Sequence, residues 1–547
     1  MNDIPEMSQD EQQAPHVRPA SAWAPLRNRS FRWLWCGGAM VNLAIWMQTV
    51  GAAWIMTLLS TSPLMVSLVQ TAIALPAFLF GLPGGVIADL VDRRKWLTLT
   101  QGVMLIAAAS LSTLSSLDLL SDWSLLLFTF LLGTGSALSM SAWMVTIVSV
   151  LPRDQVPAAV SLNGISTNAA RALGPAIAGA LIGYWSAASV FTVITVCLAL
   201  VILLVAAFTP RHTPQGLPSE SFGAGLRSGV RYIRHSTVLI SAMKQVFVFT
   251  LSASALWALM PLVAKHELGL DAGGYGLLMG FLGAGAVIAA FNLTGMYRRF
   301  ALRVLIIAGT VGFALATLVA ALSHSRLAVC AMLMVAGMSW MAVNATISTV
   351  VQTCAANWVR ARVASVYLLM LMGAMAIGGG IWGALAEYLG LRQSLLLAAL
   401  TLVLGLMLTR NGRLELGQEA DYASAIQPTD RLLVPEQLNP GPGPVSIELA
   451  YRVAPVDRTR FIKIAYAVGQ SRRRNGATNW RLYHDLDENG HYVERFIVDS
   501  WLDYLRQESR ITQADQLLES TLSQYRCDAQ VSRRYIHQPQ SGLREKS

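Results

Sequence analysis

Charge is scarce in this chain: Asp, Glu, Lys and Arg make up 13% of its 547 residues, against 54% hydrophobic ones, and the mean hydropathy is +0.48. That balance excludes a soluble multidomain protein and implies a polytopic membrane protein with a soluble attachment. Cysteine is almost as rare. Cys36, Cys197, Cys330, Cys354 and Cys527 show no C-x-x-C and no paired spacing, which excludes a disulfide framework and a zinc site. No metal and no cofactor are therefore expected. The net charge of +10 does not signal a nucleic-acid partner, because the cations cluster beside apolar segments, where they act as topology signals and anionic-lipid contacts. A hydrophobic leader is missing too: residues 1–22 are polar and proline-containing, and are expected to form a disordered cytoplasmic tail.

What is present is a series of apolar runs. Twelve candidate spans lie at about 33–58, 64–88, 96–117, 124–150, 157–184, 187–208, 237–263, 273–296, 303–322, 328–350, 363–387 and 391–409. The loops alternate in charge. One side collects Arg27, Arg29, Arg32, Arg93, Arg94, Lys95, Arg153, Arg211, Arg227, Arg231, Arg234, Arg298, Arg299, Arg303, Arg360, Arg362, Arg410 and Arg413, while the other carries Lys265, Arg326 and Arg392. The positive-inside rule then puts both termini in the cytoplasm of a bacterial inner-membrane protein.

The two sets of six spans read as copies. Gly133 and Gly337, Ser161 and Ser365, Gly174 and Gly378, and Gly179 and Gly383 are each 204 residues apart. Residues 23–209 and 237–410 are thus expected to form two six-helix bundles. Between them, residues 210–236 make a connector in which Phe222, Leu226, Val230 and Ile233 recur at helical spacing beside Arg227, Arg231 and Arg234. Both an interfacial amphipathic helix and a solvated linker helix fit that pattern.

Composition changes after Arg410. Residues 411–444, with Pro435, Pro440, Pro442 and Pro444 among glycines, read as a linker, and residues 445–540 as a small cytoplasmic α+β domain. Val445, Ile447, Leu449, Tyr451 and Val453 alternate as a strand; Phe461, Ile464, Ala465 and Val468 mark a helix face. Strands at 478–486 and 491–499 around the turn Asp487-Glu488-Asn489-Gly490, helices at 501–508 and 512–525 and a strand at 529–536 complete the order β-α-β-β-α-β.

Three motifs carry a family resemblance. Gly85, Asp89, Arg93 and Arg94 fit G-x-x-x-D-[RK]-x-G-[RK]-[RK], the pattern between helices 2 and 3 of the major facilitator superfamily; Leu90 and Asp92 depart from it. Ala170 to Gly179, with Gly174, Pro175 and Gly179, resembles the fifth-helix G-x-x-x-G-P-x-x-G-G element of exporters. Ser254 to Pro261, followed by Gly274-Tyr275-Gly276-Leu277-Leu278, resembles the enterobactin-exporter-like, or transmembrane secretion effector, branch. The resemblance implies an all-α polytopic membrane protein with the 12-helix major facilitator fold, plus a ferredoxin-like domain similar to antibiotic-biosynthesis monooxygenases. It also implies alternating-access export of small molecules, siderophores and drugs among them, by proton antiport. No enzymatic activity is expected of the chain; a membrane-anchored enzyme or sensor in the terminal domain is the competing expectation, with Tyr451, Trp480, His484 and His491 as the residues to weigh. Dimerisation through that domain is a further expectation.

Candidate site residues follow from the cost of burying polar groups in a membrane. Arg171 lies about 20 Å from either end of span 5 at ~1.5 Å per residue, so it faces a central cavity or pairs with a buried group. Lys244, two turns inside span 7, faces the cavity or snorkels to headgroups. Asn42, Trp46, Gln48, Trp143, Gln245, Trp340 and Asn344 are polar or aromatic candidates for ligand contact or interhelical packing. Spans 1 and 4 hold no Asp or Glu, so a proton-exchanging carboxylate has no seat there. Asp89 is the remaining titrating candidate. Its stronger reading is as a latch that caps the start of span 11 near Arg362, with Arg93 or Arg94 pairing with Asp154 in the same closed state. Gly174, Pro175 and Gly179 form a hinge in helix 5, and Glu387 reads as a solvated rim charge.

Overall fold

The computed structural model describes residues 23–209, 222–410, 444–501, 510–526 and 532–536, with isolated positions at 412, 414, 417, 503, 504 and 507. The tail 1–22 and most of the linker 411–444 lie outside the described residues, as do the side chains of Asp89 and Arg153. Thirteen α-helices come first. They are α1 (Arg29–Leu59), α2 (Pro63–Leu90), α3 (Arg93–Ser116), α4 (Asp122–Ser149), α5 (Val156–Tyr184) and α6 (Ala187–Phe208), then the short α7 (Phe222–Arg234). After it follow α8 (Thr237–Leu262), α9 (Ala272–Arg299), α10 (Leu302–Leu322), α11 (Arg326–Thr353), α12 (Arg360–Leu389) and α13 (Leu391–Thr409).

Among the described residues, 11 helices are long and apolar enough to cross a membrane by length and composition. Of the twelve expected spans, only α5 falls short. It carries Asn163, Asn168 and Arg171, which lower its hydropathy. The tight reversals between helices are fixed by side-chain caps. Asn28 accepts from Phe31 N at 3.1 Å, Asp92 from Lys95 N at 3.1 Å and Asp271 from Gly274 N at 2.8 Å, each satisfying an otherwise orphaned amide. Asp92, which stands where the family pattern has glycine, is thus the N-cap of α3.

The bundles meet chiefly through two pairs of helices, α2 with α12 and α5 with α9. Glycines make these crossings close. A Cβ at Gly179 would lie 2.7 Å from Ala272 O and 2.9 Å from Gly276 Cα; one at Gly383 would overlap Ser67 Oγ, with Leu64 Cα at 3.2 Å. Helix packing in a membrane gains its energy from such backbone approach. Within the second bundle, Gly285 and Gly337 play the same part between α9 and α11.

The terminal domain contains β1 (Val445–Arg452), α14 (Arg458–Asn475), β2 (Thr478–His484), β3 (His491–Val498), α15 (Gln513–Ser523) and β4 (Ser532–Ile536). Its sheet runs β2-β3-β1-β4, all neighbours antiparallel, which is the ferredoxin-like order. Phe461, Ala465 and Val468 of α14 cover Ile447, Leu449 and Phe496 on one sheet face. Gly490 takes φ +83° in the β2–β3 turn, a left-handed conformation that favours glycine.

Candidate functional site

The two bundles do not touch evenly along their length. From Gly373, whose Cβ would meet the Phe78 ring at 2.9 Å, α2 and α12 stay in contact to the end opposite the arginine clusters. There Glu387 Oε2 accepts from Ser62 Oγ at 2.6 Å and Leu64 N at 3.2 Å. Lys265, just past α8, donates its Nζ to the Thr57 carbonyl in the last turn of α1. A carboxylate thus meets the positive start of α2 while an ammonium meets the negative end of α1, each matching the helix dipole. Trp54 and Tyr275 stack below this clasp at 5.7 Å. Toward the basic end the glycines of α5 and α9 no longer meet a neighbour. Gly164 of α5 and Gly295 of α9 have open space where a Cβ would stand.

Beneath the clasp lies a small cavity walled by α1, α2, α5, α8 and α9. Arg171 is its charged residue. The guanidinium carbon stands 5.3 Å from the Trp46 ring centre, and Nε is buried without a hydrogen-bond partner. Trp46 in turn meets Trp257 at 6.4 Å, which meets Trp340 at 5.7 Å, and Trp340 packs on Phe249 at 5.8 Å. The aromatic series therefore crosses from the first bundle to the second. Among the described residues no Asp or Glu lines the cavity, so the cation faces aromatic surface with no described anion beside it.

A second cavity of about 190 Å³ opens within the first bundle and reaches Met372 of α12. Gln48 lines it, donating to Thr129 Oγ1 at 3.1 Å while its own Oε1 has no partner. The remaining sequence candidates divide. Asn42 donates to Thr167 Oγ1 at 3.3 Å, joining α1 to α5, and Asn344 donates to Trp340 O at 3.0 Å. Gln245 is buried inside the second bundle and Lys244 is exposed; neither lines the cavities described. Trp143 packs against Gly37 and Gly38 of α1, where it fills the first bundle's interior and not the cavity, because two adjacent glycines leave a ring-sized gap.

Of the expected latch at the basic end, the Asp89 cap on the start of α12 lies outside the described side chains; Asp154 is exposed and makes no ion pair with Arg93 or Arg94 among the described residues, and a Cβ at Gly85 would lie 3.8 Å from Ser141 Oγ within its own bundle. Of the helix-5 residues, Pro175 and Gly179 stand at the α5–α9 crossing, with Pro175 O 2.6 Å from the Cβ position of Gly276, whereas Gly174 faces α1 of its own bundle, where a Cβ would meet Trp46 Cβ at 2.6 Å. Glu387 is exposed at the rim, as expected, and there also accepts the two hydrogen bonds of the clasp.

In the terminal domain, Tyr451 and Trp480 are drawn into one buried network. Tyr451 Oη donates to Glu494 Oε2 and Trp480 Nε1 to Glu494 Oε1, both at 2.7 Å. Burial and the adjacent Glu494 push the Tyr451 phenol well above its ordinary value. His491 faces Asp485 at 3.0 Å and His484 stacks on Tyr492 at 4.6 Å. No group of three or more metal-ligating side chains occurs among the described residues.

Known proteins resemble this one in the same terms. A Bacillus subtilis (strain 168) protein described as the uncharacterized MFS-type transporter YfiS is 26% identical over 268 residues, 47% of this chain and 62% of the relative. The chain thus spans less than two thirds of that curated relative's length. Among solved structures, a bacterial homologue of the human lysosomal transporter Spinster, inward-facing and unoccupied, aligns with TM-score 0.55 at 15% identity, covering 71% of this chain and 98% of that one. The nucleoside transporter NupG aligns with TM-score 0.54 at 12% identity, covering 70% of this chain and 98% of that one. The match to the family described as transmembrane secretion effector covers residues 20–540, so the chain belongs to that family and is a membrane transporter of the major facilitator type.

Proposed function

We propose that the chain is an inner-membrane secondary transporter that exports small anionic, aromatic or amphipathic molecules by alternating access. The observation that carries this reading is Arg171 over Trp46 in a cavity between the bundles, with no acid on its described walls. A guanidinium with one buried unpartnered N–H and flat aromatic neighbours suits a planar anion, such as a catecholate siderophore or an acidic drug. The Lys/Arg asymmetry of the loops puts the basic end in the cytoplasm, with both termini. In that orientation the open end faces inward and the Glu387 clasp closes the periplasmic side. The resemblance of Ser254 to Pro261 and Gly274 to Leu278 to enterobactin-exporter-like proteins supports export.

Proton coupling belongs to the same reading, with Asp89 as the titrating or latching acid. Similarity of the terminal domain to antibiotic-biosynthesis monooxygenases suits a domain that pairs with a second copy or senses ligand. Catalysis there is the weaker reading, since Tyr451 and Trp480 already serve Glu494.

Inside-out vesicles holding the wild type or Arg171→Ala test the proposal. Under an imposed proton gradient, the wild type accumulates an anionic compound from a panel of catecholates and acidic drugs, and the variant accumulates it at least roughly ten-fold more slowly. No uptake of any panel member by folded wild-type protein would overturn it.

A further inference from the structure

The terminal domain is seated on the transporter at its basic end, and the seam is built from arginines on aromatic rings. The Arg510 guanidinium lies 4.3 Å from the centre of the Trp358 ring, in the loop between α11 and α12. Arg474 of α14 lies 5.3 Å from the Tyr232 ring of α7. Tyr232 and Trp358 meet edge to face at 5.8 Å, so the two stacks share one aromatic pair. The pair is fixed on the transporter side. Tyr232 is buried, and its hydroxyl accepts from Ala356 N at 3.3 Å.

The same short helix reaches the start of α12. Arg362 Nη1 donates to Ser228 Oγ at 2.8 Å, and a Cβ at Gly229 would meet Arg362 Cβ at 3.1 Å. This first turn of α12 is where a closed basic end would have to bring the bundles together. One body thus links the terminal domain, α7 and the part of α12 nearest the open cleft, and the connector reads as a docking platform, not as a solvated linker.

We propose that the terminal domain is a conformational brake: seated on α7 and on the loop 354–359, it holds the start of α12 in place and favours the state open at the basic end. The inference rests on the alternating-access reading. Arg510 on Trp358 and Arg474 on Tyr232 are each a cation on a ring face, strong enough to help seat a domain and weak enough to release it. Release frees α7 and, through Ser228 and Gly229, lets Arg362 and its turn move toward the first bundle. The population of the two end states then follows domain docking, as any differential contact requires.

Two single variants of the full-length protein test this from opposite sides of the seam, Arg510→Ala and Trp358→Leu. The five native cysteines are replaced by alanine and a reporter Met140→Cys is placed in the second cavity. Amide exchange at 227–235 and 354–360 reads docking, maleimide labelling of the reporter from the basic side reads the cleft, and amides of β1 and β3 read whether the domain stays folded. With β1 and β3 still protected, exchange should rise and labelling should fall, by roughly two- to thirty-fold for loss of one cation–π contact. Faster exchange with unchanged or faster labelling would overturn the brake, leaving an appended module. Unchanged exchange in both variants would overturn the seam itself. Neither readout needs a substrate, so failure of the export reading shows separately, as absent vesicle uptake.

Discussion

Glu387 Oε2 and Ser62 Oγ are 2.6 Å apart across the junction of the two bundles, at the end where the helices have closed. The acid belongs to the last turn of α12 and the serine is the N-cap of α2. Glu387→Gln keeps the shape but removes the charge that complements the α2 terminus, while Glu387→Ala removes both hydrogen bonds. A thiol placed at Ala53, which lines the cavity beneath, should label from the periplasmic side several-fold faster in either variant, and more so in Glu387→Ala.

Arg171 and Trp46 are expected to act together. Loss of the guanidinium in Arg171→Ala, or of the ring in Trp46→Ala, should weaken binding of an anionic aromatic substrate by ~1–3 kcal/mol, roughly ten- to a hundred-fold. Arg171→Lys should recover only part, because an ammonium keeps the charge but not the planar fork. Equilibrium binding to detergent-solubilised protein, with the double variant closing the cycle, checks the coupling.

Gly179 sits against backbone, not against a movable side chain. With Ala272 O and Gly276 Cα both under 3.0 Å from a Cβ, Gly179→Val cannot be relieved by a rotamer change. The variant should fold but close its periplasmic end poorly. Ala53→Cys labelling should again rise, whereas Gly164→Val, in open space, should leave it unchanged.

Much of this geometry was legible in the sequence. Gly179 and Gly383 stood out as equivalents 204 residues apart, and they are the close-approach points of the two cross-bundle helix pairs. Arg171 was legible because nothing but a site or a partner reconciles a guanidinium with mid-membrane depth. The sequence leaves packing and ligand contact both open for Trp143, since periodicity says which residues share a face but not which bundle interior the face meets. The Lys265–Thr57 contact and the Arg510–Trp358 stack join residues 208 and 152 positions apart, and only the folded chain brings them together. The role of α7 was half visible: its amphipathic pattern gave the helix, but not that Tyr232 would anchor another domain.

His235, one residue past α7, links docking to pH. Burial lowers its pKa below the ordinary 6.5, and then Arg473, Arg234, Arg231 and Arg474 lower it further. Arg360, Arg362 and Arg510 add positive charge around the seam; Asp499 and Asp503 act on Arg231, and Asp515 pairs with Arg474. The docked state binds this proton less tightly than the released one. Its contribution to docking is therefore complete above pH 6.5 and is lost as pH falls through the lowered value. Amide exchange at 227–235, corrected for intrinsic rates, should be faster at about pH 5.5 than at about pH 7.5, and His235→Gln should abolish the difference.

Distances between paired spin labels at the two ends test alternating access most directly. Labels at Ser121 and Arg326 report the clasped end, and labels at Asp154 and Arg299 the basic end; all four positions are exposed and each pair spans the bundles. Two populations are expected at each pair, with Glu387→Gln shifting weight toward longer distances at the first and shorter ones at the second. A single unchanging distance at both pairs, in wild type and variant alike, would contradict the rocking of two bundles about Arg171.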